Sequence, residues 1–341
     1  MEIEQLISDV LKQYDVNANN STIVRIGSGH INDTFSIGDK FVLQRLNTNI
    51  FKKPEAISNN LSIASLHLKK VEPDYLFLEP YRNRSGDLLT RDASDGQWRL
   101  FDYIEQGVSV NEISNSEQAF RAAKAFGKLT RLLESSDISK YQSTIEKFHD
   151  LRWRWEQFES ALINGEDTRK SEGEEVIESY LGFKSLLSEY ESLIRSGMLR
   201  LHITHNDTKI NNVLFNAELS EVICVIDLDT LMPGYFIYDF GDMVRTFASP
   251  VSEEEKDYSK IQVRKDVFES TYSGYLSEMG EILSKDELEL LPRAGAMMTF
   301  VIGLRFLTDY LNGDTYYKTS YPGQNLVRAT NQLVLLQHLS D

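Results

Sequence analysis

The sequence predicts an α+β fold of two lobes, with a small antiparallel-sheet lobe over residues 1–105 and a larger, mainly helical lobe over 106–341. Three observations carry that expectation. The first hundred residues hold short β-prone runs punctuated by Gly and Asp; after Gly107 the apolar spacing becomes helical; and the helical half is interrupted once, by two apolar strands with polar ends. At 341 residues the chain is long enough for two such units.

An amphipathic helix comes first, with Ile3, Leu6, Ile7, Val10 and Leu11 recurring at three-to-four spacing. After the polar loop VNANNS, the runs TIVRIGSG, DTFSIG and KFVLQRLN read as an antiparallel sheet. A helix is expected over 55–70, followed by two more strands around a turn in DYLFLEPYRNRSGDLLTRD and QWRLFDYIEQG. The lobe boundary falls near 104–112. Beyond it, SEQAFRAAKAFGKLTRLLE (116–134) reads as a helix behind a Ser cap, and helical patterns follow at 144–163 and 173–196. LHITHNDTKINNVLFN and EVICVIDLDT are the interrupting strands, and helices return at 252–281, 286–312 and 323–339. The chain shows no internal repeat and no low-complexity segment.

Composition excludes more than it proposes. Apolar residues make up 41% and charged residues 26%, the usage of a protein with a sizeable core. Asp and Glu number 52 against 36 Lys and Arg, a net charge of −16, which opposes contact with nucleic-acid backbones and anionic membranes. An acidic protein still binds an anionic nucleotide where local donors and Mg²⁺ meet it. The single cysteine, Cys224, rules out an intramolecular disulfide and a Cys-based zinc site, and reads as a small buried residue. MEIEQLISDVLKQY lacks the basic start and apolar core of a signal peptide, and the longest apolar stretch, GAMMTFVIGL (295–304), is short of the roughly 20 residues of a membrane helix. A cytoplasmic protein is expected, without nucleic-acid or membrane partners.

Three separated pieces carry the chemistry. RIGSGHINDTF (25–35) is a Gly-x-Gly turn of the kind that lets backbone N–H groups approach phosphate oxygens, although Asn32 stands where G-x-G-x-x-G has its third glycine. HNDTKINN (205–212) is His-x-Asp followed by an Asn, a form that holds Asp207 where it accepts a hydroxyl proton and Asn212 where it reaches a metal on nucleotide phosphates. CVIDLDT ends an apolar run with Asp227, 20 residues after Asp207, as a metal-chelating Asp on the next hairpin would. Each piece has a plain rival: a hairpin, a turn with a local hydrogen bond, a strand-edge Asx turn. Their conjunction in this order favours the chemical reading.

On THNDTKINNVLF, VIDLDTLMPGYFIYDFGDMVRT and GLRFLTDYLNGDTYYK, the chain resembles the aminoglycoside phosphotransferase and choline kinase superfamily, and within it the N-acetylhexosamine 1-kinases. The likeness runs from GSGHIND through the C-terminal helices. It implies the bilobal protein-kinase-like fold, ATP and Mg²⁺ as cofactors, and direct phosphoryl transfer to the anomeric hydroxyl of GlcNAc or GalNAc. It further implies that Asp207 orients or deprotonates the acceptor, that Asn212 and Asp227 hold Mg²⁺, that Gly27, Ser28 and Gly29 cover the phosphates, and that Tyr103 and Ile104 in the linker FDYIEQG offer backbone groups to adenine. His30, Arg305 and Tyr316 become candidates for sugar contacts, and Asp229 for either metal or a sugar hydroxyl.

One departure stands out. A kinase-type third strand carries a phosphate-binding Lys where KFVLQRLN has Gln44; Arg45 faces the other side of the strand, leaving Lys40 as another donor and Glu55 as a possible partner. Among the neighbours, His205 is expected to brace the loop, His202 to be a strand or core residue, and Lys209 either to neutralise phosphate charge or to face solvent. Met232-Pro233-Gly234 is expected to turn the chain, Asp239 to tie the loop to a following helix, and Asp242 and Arg245 to form an ion pair. Arg305 interrupts VIGLRFL on an apolar helix face, where a guanidinium needs a carboxylate or a substrate. Three other readings stay open: a kinase of another alcohol of aminoglycoside, choline or homoserine type; a phosphohydrolase using His202, His205, Asp207, Asp227 and Asp229 around two metals; and a non-catalytic sensor, given Gln44.

Overall fold

The computed structural model describes residues 3–18, 21–26 and 31–340, so the expectations on Gly27, Ser28, Gly29 and His30 lie outside the described residues. In the N-lobe, α1 (Ile3–Leu11) precedes β1 (Ile23–Arg25), β2 (Asp33–Ile37) and β3 (Phe41–Arg45); α2 (Pro54–Val71) crosses over; β4 (Thr90–Arg91) and β5 (Gln97–Asp102) complete an antiparallel sheet in the order β1-β2-β3-β5-β4. Strand alternation sorts this sheet into two faces. Phe35, Ile37, Leu43, Trp98 and Leu100 join Leu6, Ile7, Val10 and Leu11 of α1 in a small core, while Thr34, Val42, Gln44, Arg99 and Phe101 face the C-lobe across a cavity.

The stretch DYLFLEP is not the expected strand. The residue after it, Tyr81, donates its N–H to the Leu100 carbonyl, and the prolines at 73 and 80 have no N–H to give a ladder.

The C-lobe opens with α3 (Ser116–Leu133), capped by Asn115 rather than by serine, its side chain accepting from the Gln118 N–H at 2.9 Å. Three expected helices are shorter. The pattern at 144–163 becomes α4 (Leu151–Asn164), because residues 144–150 are held as a loop by contacts such as His149 Nε2 to the Asn206 carbonyl. Glycines divide the next stretch into α5 (Asp167–Glu172), α6 (Glu174–Gly182) and α7 (Lys184–Ser196). The helix expected from 252 begins at Lys265, since Arg264 pins the preceding loop to the Phe247 and Ile113 carbonyls.

Between these helices lie β6 (Leu201–Thr204), β7 (Val213–Phe215), β8 (Val222–Val225) and β9 (Met232–Tyr235), paired β6–β9 and β7–β8. Met232-Pro233-Gly234 is thus a strand and not a turn, with Pro233 opposite Ile203. A Cβ on Gly234 would come within 2.6 Å of Asn206 Oδ1, so the close approach of β9 to the loop after β6 requires glycine there. The remaining helices are α8 (Phe236–Phe247), α9 (Lys265–Met279), α10 (Lys285–Leu311) and α11 (Gln324–Ser340). By length and composition α10 could cross a membrane, but 83% of its apolar window is buried against its neighbours, as the central helix of the larger core.

Candidate active site

A cavity of about 350 Å³ opens between the sheet and the strands β7 and β8. It gathers Gln44 from β3, Tyr103 and Ile104 from the linker, and Asn212, Asp227 and Asp229 from the C-lobe. Tyr103 N–H donates to the Lys40 carbonyl, and Val108 and Phe215 exchange backbone hydrogen bonds, which holds the linker against β7.

The floor is a loop built around one buried carboxylate. Asp239, in the first turn of α8, accepts the backbone N–H groups of His205 at 2.9 Å and Asn206 at 2.6 Å, while its own carbonyl accepts the Thr208 hydroxyl. Burial pushes the Asp239 carboxyl up to about 6 against these donors. Asn206 takes the left-handed conformation (φ 63°) that asparagine tolerates, and its amide donates to the Thr204 and Thr230 carbonyls. His205 uses both ring nitrogens, with Nε2 on the Ile226 carbonyl at 2.9 Å and Nδ1 accepting the Asp207 N–H at 3.2 Å. It therefore links the Asp207 loop to the residue before Asp227.

Asp207 itself does not line the cavity but is joined to it. Lys209 Nζ lies 3.1 Å from one carboxylate oxygen, and Asn212 Nδ2 donates to the other at 3.1 Å and to the Asp207 carbonyl at 2.7 Å. Burial would raise this carboxyl, yet the Lys209 charge and the hydrogen bonds hold it below the ordinary carboxylate range, so it is ionised at neutral pH. Lys209 is thus paired with Asp207 while its side chain stays partly open to solvent, and Asp207 raises its affinity for a proton.

Asp227 stands opposite in character. It follows β8 in a left-handed conformation (φ 57°) and is open to the cavity, but the enclosing protein, then Asp229 and Asp207, push its carboxyl up to about 7. Such a carboxylate is short of positive charge. A Mg²⁺ ion suits it: this ion takes one or two carboxylates and completes its shell with neutral oxygens and phosphates, and Asn212 lines the same cavity.

Asp229 lines the cavity with each oxygen already holding a protein partner, Arg99 in an ion pair and Asn32 Nδ2 at 2.7 Å, so a metal or sugar hydroxyl there would share it with them. Among the described residues, the other charged N-lobe candidates lie away from the site. Lys40 is exposed in the turn before β3, Arg45 packs over Trp98 and toward Asp92 on the opposite face, and Glu55 is exposed near Arg91. The cation that does line the cavity is Arg99, cross-strand partner of Gln44. His202 is buried between Glu134 (2.8 Å) and Glu287 (3.1 Å), so neither of its nitrogens, nor of His205's, is open to a metal. Among the described residues no cluster of three or more His, Cys, Asp or Glu is arranged around a cation site, and a two-metal phosphohydrolase lacks its ligands.

On the far side of Asp207, Arg305 is 9% exposed, with its guanidinium 4.8 Å from the Phe148 ring, 5.6 Å from Tyr317 and 5.7 Å from Tyr316. Asp309 shapes this wall by accepting the backbone N–H groups of Thr315, Tyr316 and Tyr317. Among the described residues neither Arg305 nor Arg154 has a carboxylate within ion-pair distance. Burial and then the Arg305 charge push Arg154 down to about 10. His149, Arg154 and Arg99 were not singled out from the sequence, and Asn32 only as a departure from the Gly motif; the period-two alternation of QWRLFD, which puts Arg99 and Phe101 on one face, carries the signal for Arg99.

A model of the phosphotransferase enzyme family matches residues 22–262. The fold is shared with a microcompartment-associated aminopropanol kinase (17% identity, 99% of this chain and 96% of that one, TM-score 0.61). It is shared also with an amicoumacin kinase in complex with AMP-PNP, Ca²⁺ and Ami (14%, 99% and 94%, TM-score 0.60). A choline kinase from Cryptosporidium parvum aligns over 100% of this chain and 97% of its own at 14% identity, TM-score 0.60.

Proposed function

This chain belongs to the phosphotransferase enzyme family, and we propose that it is an ATP- and Mg²⁺-dependent small-molecule kinase whose acceptor is an N-acetylhexosamine, phosphorylated at the anomeric hydroxyl. The observation that carries the proposal is the continuity from Asp207 through Asn212 to Asp227: an ionised carboxylate is hydrogen-bonded to a side chain that lines the nucleotide-sized cavity beside a carboxylate short of positive charge.

In this reading an acceptor hydroxyl hydrogen-bonds to Asp207, which orients it and takes its proton as the phosphoryl group arrives. Lys209 keeps that carboxylate ionised, and the braces from His205 and Asp239 hold it still. Asn212 and Asp227 would hold Mg²⁺, which supplies neutralisation of the phosphate charge. Tyr103 and Ile104 border the adenine end of the cavity. Arg305 and Tyr316 line the acceptor side.

The two unpaired guanidiniums favour a neutral, amide-bearing sugar over an ammonium acceptor, because Arg154 and Arg305 together make that side positive. The test is ATP consumption by the purified protein across amino sugars, N-acetylated sugars, neutral hexoses, aminoglycosides and choline, with phosphorus NMR locating the product. Turnover with GlcNAc or GalNAc and an anomeric phosphate is expected. Turnover confined to choline or aminoglycosides would remove the sugar assignment, and phosphate release from sugar phosphates without ATP would remove the kinase.

A further inference from the structure

We infer that Arg99 supplies the cationic contact to the nucleotide phosphates that a lysine on β3 would otherwise make, with Asp229 as the residue that positions it. The inference rests on the kinase reading of this cavity and identifies how the N-lobe meets the phosphates.

The register of the sheet brings the pieces together. Thr34, Gln44 and Arg99 are successive cross-strand neighbours on β2, β3 and β5, and all three line the cavity. Gln44 is tied into this row: its Nε2 donates to Thr34 Oγ1 at 3.1 Å, and its Oε1 accepts Arg99 Nε at 3.1 Å and Nη2 at 2.8 Å. Its oxygen therefore aims the guanidinium, and as a neutral amide it supplies no positive charge to a phosphate. From the other lobe Asp229 pairs with the same Nη2, and Asn32 holds the second Asp229 oxygen while its own Oδ1 accepts the Asn47 N–H.

What is left over points to an anion. Arg99 is 2% exposed, and its Nη1 is buried without a hydrogen-bond partner among the described residues. A charged donor left so is costly unless a ligand completes it. The charge balance agrees. Of the described residues that line the cavity, Asp102, Asp227 and Asp229 are acidic and Arg99 alone is basic, so a polyanion entering beside these carboxylates needs the guanidinium as well as any metal. A lysine on β3 has its cation moved one strand over in this chain, and the Glu that would hold it is replaced by an Asp from the loop after β8.

A guanidinium serving only as a strut between lobes would look similar at rest, so the experiment compares ligands with and without phosphates. Calorimetry with adenosine and with ATP plus Mg²⁺ is run on wild type, R99Q, R99K and the double variant Q44K/R99Q. Loss of the contact should weaken ATP about tenfold or more in R99Q and leave adenosine within about twofold. R99K should fall between, since an ammonium cannot span the fork that joins Gln44, Asp229 and a phosphate. Q44K/R99Q should recover most of the loss by returning the cation to β3. R99Q binding ATP as wild type does, or losing ATP and adenosine alike, overturns the assignment. Should R99Q not fold, R99K decides: a selective loss for ATP supports the contact, and parity with wild type overturns it. Wild type that binds no nucleotide sinks the kinase reading and this assignment together, whereas wild-type binding with an indifferent R99Q overturns the assignment alone.

Discussion

Asp207 hangs from β6 on the side facing Arg305, while Asp227 ends the arm that leaves β8 beneath the sheet. Both belong to one loop system, Asp207 half-buried and Asp227 open to the cavity, yet Asp207 sits below the ordinary carboxylate range and Asp227 rises to about 7. The difference lies in their company. Lys209 and Asn212 reach Asp207, whereas Asp227 meets the charges of Asp229 and Asp207 before any cation. Burial alone assigns no role to a carboxylate; the sign of its neighbours does. One arm has its cation and hydrogen bonds supplied by the fold; under the proposed function the other would be completed by Mg²⁺.

The comparison is broken most severely at its first member. Asp207→Asn should lower kcat by about 10²–10⁴-fold with little change in nucleotide affinity, and unchanged turnover would remove the base from the mechanism. Asp227→Ala should instead abolish the Mg²⁺ dependence of ATP binding, read by calorimetry with and without the metal. The same arm predicts a pH effect in wild type. Its raised carboxyl must lose a proton to take Mg²⁺, so Mg²⁺-ATP affinity should rise as pH passes through about 7 and be about tenfold weaker at pH 6 than at pH 8. A flat profile would show that Asp227 is already ionised or not a ligand.

On the acceptor side, Arg305→Ala should raise the acceptor KM about tenfold while leaving the KM for Mg²⁺-ATP alone, which separates the two arms by substrate. The smallest effect on rate concerns His202, which clamps β6 between Glu134 and Glu287 and rises to about 9 there, its hydrogen bonds to both carboxylates outweighing burial. A raised histidine stabilises below its ordinary value near 6.5 and loses that contribution as pH climbs through 9. His202→Asn should therefore lower the melting temperature at pH 7 by about 5 °C and flatten its decline toward pH 9.5, with kcat at 25 °C nearly unchanged.

The loop of the candidate site was legible because its polar residues stand in one stretch: HNDTKINN holds Asp207, Asn212 and the His205 brace within eight residues, and the strand before Asp227 is a plain apolar run. The antiparallel lobe and the switch to helices were legible for the same reason, since period two and period 3.6 are local patterns. Element edges were less so. The loop at 144–150 has helical spacing, but contacts from residues far along the chain hold it open, and Pro233 reads as a turn until β6 is placed beside it.

By itself, then, the sequence determined the kind of fold, the loop that carries Asp207, and the absence of a lysine at position 44. Tertiary structure alone decided which cation lines the cavity and what Asp229 pairs with. Arg99 acquires its place through its register with Gln44, 55 residues earlier, and its partner Asp229, 130 residues later, and no local pattern encodes a pairing across that distance. Side-chain type and spacing dictate local conformation, whereas the charge around a buried group is set by whichever distant residues the packed core brings to it.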